Sequence, residues 1–251
     1  MGRAAPPARA ERVVSLARVV SAPARSRTLR DAVGLGLAVG FYGIAFGAAA
    51  DAAGLDAWQA MTLSALMFSG ASQFALVGVL GAGGSAPAAI GSALLLGTRN
   101  TVYGVRMAPL LAPRTLLGRA GAAHWVIDET TAMAVAAPDR ELGRLAFWAT
   151  GATIYLGWNA MTLVGALGAS GLGGTAEAAL DAVVPAAFLA LLWPRLTAAG
   201  SAEPGAQRRV ALAGAVVALA LTPFVPVGVQ VIAAVVAVGL AGRPRTAERP
   251  A

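Results

Sequence analysis

Cysteine is absent from this 251-residue chain, and so is lysine: all nineteen basic residues are arginine. The first absence excludes disulfides, iron–sulfur clusters and thiolate metal sites. The second excludes Schiff-base chemistry through a lysine amine. Charge of either sign is scarce, at 12% of residues, where an ordinary soluble domain carries roughly 25%. No charged residue occurs in 57–98, 145–176 or 210–242. A bilayer core about 30 Å thick takes roughly 20 helical residues, so each stretch holds at least one span. The composition excludes a soluble enzyme, a disordered chain and a single-pass anchor. It predicts an all-α, polytopic integral membrane protein of six to eight transmembrane or re-entrant helices.

The net charge of +7 does not point to nucleic acid, because the arginines sit at the ends of apolar runs. Arg3, Arg9, Arg12, Arg18, Arg25, Arg27 and Arg30 precede the first run, Arg195, Arg208 and Arg209 lie in a later loop, and Arg243, Arg245 and Arg249 close the chain. Arginine so placed marks the cytoplasmic side. The expected organisation is a disordered, Arg-rich cytoplasmic tail over 1–30, a membrane transport domain over 31–242 and a cytoplasmic C-terminal tail over 243–251. The protein is then a multi-pass protein of the cytoplasmic (inner) membrane, in contact with lipid, with both termini on the cytoplasmic side.

Eight apolar segments follow: 32–50, 57–80, 87–111, a short one over 124–137, 145–168, 178–193, and two within 210–242 separated by Pro223 and Pro226. Residues 113–121 read as a loop. If all eight cross, both termini fall inside, but Arg114 and Arg119 fall outside; a re-entrant third or fourth segment removes that conflict. Ser69–Leu76 also echoes Val184–Leu191, the pattern expected of two related three-helix units with a site between them.

Polar and ionisable groups inside spans are costly, about 2.5–3.5 kcal/mol each for charges, and mark functional candidates. Ser69, Ser72 and Gln73 flank Gly70 in the second segment. A helix break at Gly70 would turn them and exposed backbone N–H groups toward a cavity; the alternative is hydrogen bonding that only holds helices together. Arg99, Tyr103 and Arg106, beside Asn100, share one helix face. Arg99 lies deep enough to fork onto a carboxylate, whereas Arg106 is placed to snorkel. Asp128 and Glu129, adjacent in a short apolar segment, have the mutual repulsion and lost hydration of groups that bind and release a proton. A salt bridge to Arg99 or Arg106 is the competing reading. His124 and Trp125, with Trp148, Trp158 and Trp193, suit interfacial positions; Asn159 is a weaker pathway candidate.

Phe68-Ser69-Gly70-Ala71-Ser72-Gln73-Phe74, Arg99-Asn100-Thr101-Val102-Tyr103-Gly104 and Asp128-Glu129-Thr130 resemble, in order and spacing, the azaleucine-resistance permease family (AzlC type). The likeness extends through Val184-Pro185-Ala186-Ala187-Phe188 and covers about 31–242. The sequence departs from many relatives in having Asn100 for histidine, Ile127 for threonine and Gly43 for proline. The resemblance implies the large subunit of a two-component exporter of branched-chain and related apolar amino acids, working with a small AzlD-type membrane subunit. It implies a secondary transporter, and the sequence agrees in having no Gly-rich lysine loop for nucleotide.

The resulting expectation is a proton-coupled exporter with no cofactor and no enzymatic activity. Arg99 holds the substrate carboxylate; Ser69, Gly70, Ser72, Gln73, Asn100 and Tyr103 complete the substrate site; Asp128 and Glu129 carry the coupling proton. Two alternatives stand beside it. One is an intramembrane serine hydrolase built on Gly70-Ala71-Ser72-Gln73 with His124 as base, and the other is a passive channel.

Overall fold

The computed structural model describes residues 22–113, 115–169, 204–226 and 228–235, with 186, 189, 192, 193, 196, 197 and 239. The N-terminal arginines up to Arg18, Arg114, the Val184–Leu191 echo apart from Ala186 and Leu189, Arg195 and the C-terminal tail lie outside this description. The described residues are helical and contain no strand. In chain order the helices are α1 (Ala22–Phe41), α2 (Gly43–Ala52), α3 (Ala57–Leu66), α4 (Gly70–Gly81), α5 (Ala86–Leu111), α6 (Leu116–His124), α7 (Asp128–Ala136), α8 (Arg140–Ala169), α9 (Pro204–Leu221) and α10 (Val229–Ala233). The run Ala22–Ala52, kinked at Tyr42, is by length and composition able to cross a membrane.

Local chemistry sets the boundaries. Asp56 and Gln59 form a reciprocal capping box at the start of α3, with bonds of 2.8 and 2.9 Å. Ser85, followed by a first-turn proline, caps α5, and Thr115 caps α6. The stretch read as a loop over 113–121 is therefore mostly helix. α5 ends at Ala112, whose φ of +42° puts it in the left-handed region, and Pro113 prevents continuation.

The frame is a tight seam between α1–α2 and α8. Gly36, Gly40, Gly43 and Gly47 face Thr153, Gly157, Trp158 and Thr162 in steady register, so the two elements run parallel. A Cβ on Gly40 would lie 3.1 Å from the Gly157 backbone. Only small residues permit this approach, and the close packing it gives is what holds helices together where the surroundings are apolar.

Relative directions settle the topology. Phe46 meets Phe74 at 5.8 Å, and Ala53 meets Gly81, where a Cβ would be 3.4 Å away. Both pairs have the same sequence separation, so α2 and α4 run parallel. α3 must therefore go inward and α4 come back to the end from which α3 left. α5 then runs antiparallel to α4, with Ser72 beside Gly97 and Val79 beside Ala88. At its far end Arg140 donates to the carbonyls of Pro109 (2.8 Å) and Leu110 (3.3 Å), and Arg144 to that of Leu111 (2.7 Å). The C-terminus of α5 and the N-terminus of α8 thus lie at one end, with the arginines on carbonyls that the helix leaves unpaired. α6 and α7 are consequently a second hairpin, entering from the opposite end to the first.

The expected 57–80 span is corrected accordingly, to a helical hairpin that turns back; of the third and fourth segments, either of which the sequence allows to be re-entrant, it is the short 124–137 segment that belongs to a returning hairpin. Arg25, Arg27, Arg30, Arg119, Arg140 and Arg144 gather at one end, outnumbering Asp31, Asp139 and Glu141 there, and Asp51 and Asp56 lie at the other. Gly228 packs on Val79 and Ala88, so α10 starts at the acidic end.

Candidate functional site

The two hairpin tips meet in a cavity of about 550 Å³. Its lining includes Phe68, Ser69, Gly70 and Ala71 from the first tip and Ile127, Asp128 and Glu129 from the second. α5 adds Leu96 and Arg99, α1 and the kink add Val39 and Tyr42, α8 adds Ile154 and Trp158, and Leu189 and Leu192 complete it. Arg99 is about 18 Å along α5 from Leu111 at about 1.5 Å per residue, so the cavity sits deep between the two ends.

The first tip is a helix interruption over Met67, Phe68 and Ser69. Interrupting a helix strands carbonyls on one side and N–H groups on the other. Gln73 meets the first need. Fully buried, its Nε2 donates to the carbonyls of Met67 (2.6 Å), Ser64 (3.3 Å) and Leu63 (3.4 Å). The N–H groups of Gly70 and Ala71 begin α4 at the cavity wall. Ser69 does not cap them; its hydroxyl donates to Ser72 Oγ at 3.1 Å instead. The end of α4 is thus a concentration of donors with partial positive charge.

The second tip is ordered by Thr130. Its Oγ1 donates to the Trp125 carbonyl at 2.8 Å and accepts from Ile127 N–H at 3.1 Å. Asp128 and Glu129 then occupy the first turn of α7, where the helix dipole favours negative charge. Arg99 Nη1 and Asp128 Oδ2 pair at 2.9 Å, with side chains 32% and 26% exposed. This pair ties α5 to the second tip. Arg99 Nε is buried with no hydrogen-bond partner.

Of the residues expected at the site, the structure brings Ser69, Gly70, Arg99, Asp128 and Glu129 to one cavity. Ser72 and Gln73 are buried behind the first tip, so the break does not turn all its polar groups the same way. Asn100 is half-buried on α5, its Oδ1 unpartnered. Tyr103 packs with the Met107–Phe147 cluster away from the cavity, and Arg106 is exposed. His124 sits between the rings of Phe68 (5.9 Å) and Tyr155 (6.0 Å) and makes no hydrogen bond to Ser72, so the pair needed by a serine hydrolase does not form. Asn159 donates to the Tyr155 carbonyl of its own helix. Trp158, expected at an interface, is 6% exposed and forms the cavity wall. Phe74 and Ile154 join it there, a wall the sequence reading missed because apolar residues carry no signal of which cavity they face.

A family model described as AzlC protein matches residues 34–172, more than half of the chain and all of the lining named from the two tips, α1, α5 and α8. The chain belongs to the AzlC family. Membership connects this AzlC protein with branched-chain amino acid transport. No match was found among curated proteins or among solved structures.

Proposed function

We propose that this AzlC protein is a secondary transporter that exports branched-chain and related apolar amino acids across the cytoplasmic membrane, coupled to protons and paired with a small AzlD-type membrane subunit. The observation that carries the reading is the shared cavity. A guanidinium, two carboxylates and a helix N-terminus line it together with mostly apolar side chains such as Val39, Leu96, Ile154 and Trp158. A zwitterion with an apolar side chain has the matching chemistry.

In this reading α1–α2, α5 and α8 cross the bilayer and the two hairpins are re-entrant from opposite faces, their irregular backbone shielded by protein as it must be at membrane depth. Exposed Leu117, Trp58 and Val105, at 86%, 83% and 73%, then face lipid. The arginine-rich end is cytoplasmic by the positive-inside rule, and the conflict over Arg119 disappears. The substrate carboxylate takes Arg99 and the N–H groups at Gly70 and Ala71. To do so it displaces Asp128 from Arg99, and Asp128 with Glu129 carries the coupling proton. Ser72 and Gln73 support the first tip from behind.

Counterflow of labelled leucine in vesicles, with the small subunit co-expressed and with or without a pH gradient, tests this. A gradient-dependent signal abolished in Asp128→Asn and in Arg99→Ala is expected. Normal transport by Arg99→Ala would remove the carboxylate assignment, and failure to concentrate leucine against its gradient would favour a passive channel.

A further inference from the structure

We infer that Trp158 sets the size limit for the substrate side chain, acting as a rigid wall whose position is held by Gly70 on one side and Phe46 on the other. This rests on the reading of the cavity as an amino acid site.

Phe74, Ile154 and Trp158 are apolar parts of the lining, with Trp158 against Gly70 itself, so an amino acid whose carboxylate is held at Arg99 and the start of α4 has its side chain within reach of the indole. Among these the indole is the largest surface. It stacks on Phe46 with centroids 6.2 Å apart and planes at 24°, and meets Phe74 edge-on at 6.3 Å and 87°. Phe46 and Phe74 are themselves 0% and 1% exposed, so the ring has a solid backing and cannot retreat when a larger side chain presses on it.

The first hairpin tip closes the other direction. A Cβ at Gly70 would lie 2.9 Å from Trp158 Cη2. Only a hydrogen fits between the tip backbone and the ring, and Gly70 is therefore needed both to begin α4 at the cavity and to leave the indole where it is. A wall fixed on two sides discriminates by volume. One methylene too many or too few against a rigid wall of a hydrophobic pocket changes specificity by roughly 10–200-fold.

The test is competition by unlabelled alanine, valine, leucine, phenylalanine and tryptophan against labelled leucine counterflow. It runs in parallel with thermal stabilisation of the purified full-length protein by the same five amino acids, which reads binding even where transport is lost. Trp158→Phe keeps a ring against Phe46 while vacating space, and phenylalanine is expected to gain on leucine by about tenfold or more. Gly70→Ala forces the edge of the indole to shift, and the rank order of the five amino acids is expected to change. An unchanged rank order in both variants, with the native protein responding to leucine, would overturn the role of Trp158 alone. A native protein that responds to none of the five in either assay would overturn the amino acid reading itself. Should Trp158→Phe not fold, Gly70→Ala decides by the same rank order.

Discussion

Gln73 illustrates how a polar residue in an apolar segment is misread when only its type is known. A glutamine between Ser72 and Phe74 has the chemistry of a substrate ligand, yet its Nε2 is spent on three carbonyls at the end of α3. The consequence is measurable. Gln73→Met keeps the volume and removes the donor; backbone N–H groups of Met67 and Ser69 still reach the Leu63 and Met67 carbonyls, but that of Ser64 is left unsatisfied, at about 1–3 kcal/mol. Gln73→Glu adds a carboxylate that must either repel those carbonyls or take up a proton to bond them, so it is expected to destabilise further. Denaturation midpoints of the purified variants check this order; equal midpoints for the two would mean that the amide donor does not hold the break. Arg99 is the converse case. Its position and type were legible in the sequence, and so was the option of a salt bridge, but the choice of Asp128 over Glu129 as the Nη1 partner required the second tip to be placed against α5.

Helices record their ends more plainly than their direction. The capping box at Asp56 and the caps at Ser85 and Thr115 follow from residue type, and the interruption near Gly70 was expected from the glycine and its polar neighbours. Which apolar segments continue and which turn back stays open in the sequence between the third and fourth and is misread for the second, because a crossing and a returning hairpin bury similar apolar faces. The chain has no native cysteine, so single cysteines test this directly. Ala112→Cys and Pro138→Cys, which flank the second hairpin, are expected to react with an impermeant thiol reagent from the same side of the membrane. Asp56→Cys and Gly83→Cys, flanking the first, are expected to react together from the other. Labelling of Ala112→Cys and Pro138→Cys from opposite sides would replace the hairpin by a crossing. The glycine seam makes a second prediction. A Cβ on Gly34 meets nothing within 4 Å, whereas one on Gly47 would run into the Thr162 carbonyl and Ala166. Gly34→Ala is therefore expected to stabilise by up to about 1 kcal/mol through helix propensity, and Gly47→Ala to destabilise by about 1–3 kcal/mol through overpacking. Thermal unfolding of the two variants provides the comparison, and destabilisation of similar size in both would mean that the seam is not closely packed.

Across the whole molecule, the seam of α1–α2 on α8 is the frame and the hairpins are set against it. The tips carry interrupted helices and line an open cavity, so they have fewer continuous backbone hydrogen bonds than the frame. Amide exchange is expected to be slowest in Gly36–Gly47 and Thr153–Ala166 and fastest at 67–70 and 125–128, since local opening draws on the least bonded segments. Uniform protection would contradict that division. The sequence alone determined the helical class, the scarcity of charge and the chemistry-bearing residues Ser69, Gly70, Arg99, Asp128 and Glu129, because each depends on residue type and near neighbours. Tertiary structure decided that the two hairpins turn back from opposite ends, that Ser69 and Gly70 but not Ser72 and Gln73 reach the cavity, and that Trp158 is a wall and not an interfacial anchor. Those outcomes depend on which helix packs beside which, and in a chain this uniformly apolar nearly every face of a helix is chemically fit to be buried.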